Sequence, residues 1–64
     1  MLRVIHKWWG CANKLCPTVF EDSDGSIVVQ GYKLSESDRK DIELPDTEDA
    51  VRIPRELYDA IRAG

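Results

Sequence analysis

Residues that carry chemistry are scarce in this chain. It holds one histidine, two cysteines and five aromatic residues among 64. No glycine-rich loop that could cradle a phosphate occurs, and no serine stands in a nucleophile-elbow context. His6 has no acid beside it in the sequence. These absences argue against an enzyme. Long apolar runs are missing too, and none approaches the roughly 18–20 residues that a membrane-spanning helix requires. The stretch from Met1 to Trp9 carries Arg3 and Lys7 within its apolar residues and has no small-residue cleavage site, so it does not read as a secretory signal. A soluble, cytoplasmic protein with reduced Cys11 and Cys16 is the expectation.

Acid is absent from the first twenty residues, which hold Arg3, Lys7 and Lys14. Residues 21–64 hold all twelve acids against six bases, a balance of −6. A basic head bearing tryptophan thus precedes an acidic body. The split offers a docking surface, or it reflects lysine and arginine placed on a short strand for solubility. The 42% apolar and 33% charged content is that of a folded domain and not of a disordered tail. A core in a chain this short rarely supplies more than about 3–5 kcal/mol, so a metal, a disulfide or a partner chain commonly assists.

Residues 1–64 read as one domain. Leu2 to Trp9 is rich in β-branched and aromatic types and predicts a first strand, followed by a loop from Gly10 to Lys14. Thr18 to Glu21 and Ile27 to Gln30 flank Asp24-Gly25, a favoured pair for a two-residue hairpin turn. With that turn Phe20 faces Val29 and Asp22 faces Ile27, which puts Phe20, Ile27 and Val29 on the core face. Gly31 predicts a bulge or a close backbone approach. Ser35 to Asp41 opens with a cap-like Ser-x-x-Asp yet reads as a solvated loop. Ile42 to Leu44 suggests a short strand stopped by Pro45, Asp46 to Asp49 an acidic turn, and Ala50 to Ile53 a last strand. Pro54 suits the first position of a helix, with Leu57, Tyr58 and Ile61 as its apolar stripe and Gly64 as its stop. The expected fold is α+β: a small antiparallel sheet of three to five strands, with its central hairpin at Asp24-Gly25, packed by one C-terminal helix.

His6, Cys11 and Cys16 are the soft metal ligands, spaced H-x4-C-x4-C. A structural zinc site needs four ligands, so a carboxylate, a water or a second chain would have to complete it. A Cys11–Cys16 bridge would close a small loop worth roughly 2 kcal/mol in the entropic account. Two reduced, partly buried thiols are the simpler expectation, with no cofactor. Trp8-Trp9 places two indoles on opposite faces of a strand, one inward and one outward. An outward tryptophan is covered by the C-terminal helix or anchors an interface. Val51 to Leu57 is similar to the strand-to-helix entry of ribbon-helix-helix repressors, but a second helix is required there and the acidic body repels phosphate, so direct DNA contact is not expected.

Cys16-Pro17-Thr18-Val19-Phe20, the Gly25 turn, Ile27-Val28-Val29-Gln30-Gly31 and Ala50-Val51-Arg52-Ile53-Pro54 together resemble small uncharacterised actinobacterial proteins with a CPTVY…VVQG…VxIP pattern. The layout is similar, more loosely, to the short proteins encoded beside WhiJ-type helix-turn-helix regulators. The resemblance implies a regulatory accessory that binds a larger transcription factor, and it carries no catalytic residues over. Phe20 stands where tyrosine is frequent, and Trp8-Trp9 lies outside the shared blocks. The expected function is a non-catalytic protein–protein interaction module that self-associates or docks on a helix-turn-helix regulator through Trp8 or Trp9, Tyr32, Arg3 and Lys7. A metal- or redox-responsive protein using Cys11, Cys16 and His6, and an antitoxin-like acidic neutraliser, are the alternatives from other classes.

Overall fold

The computed structural model describes residues 1–10 and 16–64. Strand β1 (Leu2–Lys7) pairs antiparallel with β2 (Thr18–Asp22), which pairs antiparallel with β3 (Ile27–Gln30), giving a three-stranded sheet in the order β1-β2-β3. Strands β4 (Tyr32–Lys33) and β5 (Val51–Arg52) make a second, two-stranded antiparallel sheet. Helix α1 (Glu36–Asp41) lies between them in sequence, and helix α2 (Arg55–Ala63) follows β5 and packs on β1. The α+β architecture matches the expectation. The five strands fall into two sheets, and α1 is an added helix.

The hairpin forms where Asp24-Gly25 predicts it, but its register is shifted by one. Val19 faces Val29, Phe20 faces Val28, and Glu21 faces Ile27. Asp22 donates to the carbonyl of Ser26 at 2.9 Å and accepts from the N–H of Gly25 at 2.9 Å. Three residues, Ser23, Asp24 and Gly25, therefore close the loop, with Gly25 at φ +90°. This is the longer hairpin turn in which a left-handed glycine forms the bulge. The carboxylate of Asp24 fixes it by accepting from Ser26 N–H at 2.9 Å and Ser26 Oγ at 2.6 Å. A one-residue slip sends every side chain to the other face. Phe20 is accordingly half-exposed and Ile27 exposed, while Val19, not expected in the core, is 1% accessible.

The core is small. Cys16, Pro17, Thr18, Val19 and Leu57 are buried. The hydroxyl of Thr18 donates to the carbonyl of Cys16 at 2.7 Å, so its burial strands no polar atom. Gln30 Nε2 reaches the same carbonyl at 3.3 Å, tying β3 to the start of β2. The β1–β2 ladder carries a bulge between Val4 and His6 and extends past its end through Trp8 N–H to Pro17 O at 3.0 Å.

Gly31 is the close approach that the sequence suggests. A methyl placed there would stand 2.6 Å from the carbonyl oxygen of Arg52 and 3.0 Å from side-chain carbons of Val51 and Ile53. That closeness lets β4 leave the end of β3 and pair at once with β5. Residues Ser35 to Asp41, read as a loop, instead contain α1. Ser35 Oγ accepts from Asp38 N–H at 3.2 Å, and tertiary ion pairs then hold the turn: Arg39 to Asp49 at 3.0 Å, and Arg52 to Asp38. Residues 42–44 form no strand, because β4 already takes β5 as its partner. Asp46 and Thr47 make the expected turn, closed by Glu48 N–H to Pro45 O at 2.9 Å. Pro54 sits one position earlier than expected, as the cap of α2, and its carbonyl accepts from Leu57 and Tyr58. Arg55 pairs with Asp59 at 3.2 Å, and Gly64 ends the helix at φ +100°.

Candidate functional site

Strand β1 ends at Lys7, short of the Trp9 that the sequence suggests, so both tryptophans lie just beyond it, with Trp8 N–H bonded to Pro17 O at 3.0 Å. Trp8 is half-buried and its indole lies over Gly10, where a methyl group would fall 2.3 Å from Cζ2. Only glycine admits the ring at that distance. Trp9 is 79% exposed. Lys7 Nζ stands 5.4 Å from the centre of the Trp9 ring, within the range of a cation–π contact. The structure thus brings together Lys7 and Trp9 from the expected surface residues. Arg3 is engaged with Glu21 across the β1–β2 ladder. Tyr32, 47% exposed, stands on β4 opposite Arg52, in the other sheet.

A second apolar feature comes from the observed register and was not anticipated. Val4, Phe20 and Val28 form one cross-strand row, with Leu2 on the same face. Val4 is 54% and Val28 39% accessible, and Phe20 is half-exposed. On the opposite face Ile27 and Val29 are also open to solvent. The signal for this row was present in the apolar run Ile27-Val28-Val29, but a core-facing reading of the hairpin hid it.

His6 is half-buried opposite Val19. Cys16 is 4% accessible and disulfide-bonded, which corrects the expectation of a reduced thiol there. Burial at the base of β2 makes this sulfur part of the core, and in this state it offers no thiolate to a metal. Cys11, and with it the expected ligand spacing, lies outside the described residues. Among the described residues no group of three or more histidine, cysteine or acidic side chains is gathered to hold a metal ion.

A cleft of about 540 Å³ lies between α1 and the β4–β5 sheet, lined by Lys33, Leu34, Glu36, Arg39, Asp49 and Val51 among others. Arg39 is spent on Asp49 within it. Several carboxylates of the acidic body are held by near neighbours. The Met1 ammonium and then Ser23 hold Asp22 below the ordinary carboxylate pKa, Ser26 does so for Asp24, Ser35 and then Arg52 for Asp38, and Arg39 and then Ala50 N–H for Asp49. Each of the four binds its proton less readily folded than unfolded. Their contribution is therefore complete above the ordinary value of 3.8 and lost as pH falls through the lower folded values. Thermal unfolding followed against pH should give a midpoint that holds steady above about pH 5 and declines below about pH 4. A midpoint that rises on acidification would contradict these contacts.

No helix among the described residues is long and apolar enough to cross a membrane. No family model, curated protein or solved structure matches the chain.

Proposed function

We propose that this chain is a non-catalytic protein-interaction module. The observation that carries the reading is Trp9, 79% exposed and braced by Lys7. Tryptophan is enriched at binding hot spots, where a large indole is taken out of water on association. Leu2, Val4, Val28 and Val29 add apolar area on the sheet. The partner contributes an apolar segment, with acid near Lys7. A helix-turn-helix regulator fits this chemistry as the regulatory partner, and a second copy fits it as well. Contact with nucleic acid by this chain alone does not, since the net charge is −3 and Arg3, Arg39, Arg52 and Arg55 are already engaged with carboxylates.

The disulfide-bonded state of Cys16 favours a second reading, a redox-responsive protein. Its burial weighs against that role, because exchange requires a thiolate to reach the sulfur, and labile bridges are the exposed ones.

Selection from a random peptide display library against the folded chain tests the interaction reading. Enrichment of peptides rich in aromatic or aliphatic residues, abolished by Trp9→Ser and retained in Trp8→Phe, is expected. The absence of enrichment, or enrichment indifferent to Trp9→Ser, overturns it.

A further inference from the structure

We infer that strand β3 is a self-pairing edge, through which two copies of the chain join their sheets antiparallel about a two-fold axis at Val28. The inference rests on the interaction reading and names a second copy as the partner at one particular surface.

The two edges of the three-stranded sheet differ in the features that prevent pairing. Strand β1 has a bulge between Val4 and His6 and carries Arg3 and Lys7. Bulges and inserted charges are the ordinary means of blunting an edge. Strand β3 reads Ile27-Val28-Val29-Gln30, with no charge, proline or bulge. All four of its residues are exposed, and among the described residues no strand of the sheet lies beyond it.

The hydrogen-bond phase of the hairpin fixes which backbone groups point outward. Asp22 N–H donates to Ser26 O at 2.9 Å, which sets the phase in which bonded and non-bonded pairs alternate along the hairpin. Phe20 and Val28 are a bonded pair, and the N–H and C=O of Val28 point toward β2. Those of Ile27 and Val29 point away, toward the free edge. An antiparallel second copy satisfies them when Ile27 of each copy pairs with Val29 of the other. Val28 then faces its own counterpart as a non-bonded pair, in which side chains approach most closely. In this register the row Val4–Phe20–Val28 continues without interruption into the same row of the second copy. The alternative register, centred on Val29, would set Val28 against Gln30 and break the row.

The surface area is consistent with one missing neighbour. A compact monomer of 7.3 kDa exposes about 4,200 Å² by the usual scaling with mass. This chain exposes 5336 Å². The excess, about 1,100 Å², is comparable with the roughly 800 Å² that each partner contributes to a standard interface.

Sedimentation equilibrium of the full chain over a wide concentration range tests the inference, with Val29→Pro and Val28→Lys as variants. Proline at position 29 removes only an outward N–H, which an edge strand tolerates, so the monomer fold should persist by circular dichroism. By symmetry it deletes two bonds across the axis and should weaken dimerisation about 30-fold. Val28→Lys leaves the backbone intact and opposes two ammonium groups, so its dimer should be lost at low salt and partly recovered at high salt. A wild-type chain that stays monomeric at every concentration overturns the inference, as does a dimer indifferent to both variants. Either failure leaves the peptide selection at Trp9 untouched, so self-pairing at β3 and the broader interaction reading fail separately.

Discussion

Leu57→Ala leaves the chain largely unfolded at 25 °C. Leu57 is 2% accessible, the buried residue of α2, and with Val19 one of two large aliphatic side chains removed from water among the described residues. Truncating a buried leucine costs about 2–5 kcal/mol, from lost transfer energy and from the cavity left behind. A domain this size commonly has no more than about 3–5 kcal/mol in total. The loss therefore consumes most of the stability, and α2, nine residues long, does not hold as a helix without its anchor. Circular dichroism should show reduced helix and strand signal with no cooperative melt. Ile61→Ala, one turn further along at 36% exposure, should change the midpoint little. A Leu57→Ala chain that melts cooperatively near the wild-type temperature would place the core elsewhere.

Gly31→Ala loses about 1–3 kcal/mol, the range for overfilling a well-packed site. The cost is steric and not conformational, since Gly25 and Gly64 are the glycines with positive φ. The added methyl meets the carbonyl oxygen of Arg52 at 2.6 Å, a backbone atom that cannot rotate aside. Relief requires Val51 to Ile53 to move away, which parts β5 from β4 and disturbs the entry to α2 at Pro54. Hydrogen exchange should show Tyr32 and Lys33 losing protection ahead of the three-stranded sheet, and the unfolding midpoint should drop by several degrees. Wild-type protection at those amides would refute the close approach.

Elements with a local cause were legible in the sequence. The Asp24-Gly25 hairpin, the approach at Gly31, the turn after Pro45 and the helix entered at Pro54 all follow from residues beside them in the chain. Elements set by tertiary contact were not. The hairpin loop could hold two residues or three, and only the Ser26 contacts to Asp22 and Asp24 select three. That single step moved Val19 into the core and turned Phe20 and Val28 outward. Helix α1 has the cap that Ser35 suggests, yet its polar sequence has no apolar face to announce it, and the ion pairs that hold it come from Asp49 and Arg52. For the site, the tryptophan pair and Lys7 were visible from composition. Which indole is left exposed depends on the room that Gly10 leaves for Trp8. The open row Val4–Phe20–Val28 was hidden by the same register error as the core.

The interaction account separates from a metal or redox account by the mass of the native chain. Native mass spectrometry of the purified protein, with and without chelator and glutathione, measures this directly. The account predicts a metal-free chain whose balance of monomer and dimer is unchanged by either reagent, because Cys16 is shielded at 4% exposure and the proposed contacts use Trp9 and β3. A bound zinc removed by chelator would contradict it, as would a mass gain of two hydrogens accompanied by a shift in that balance.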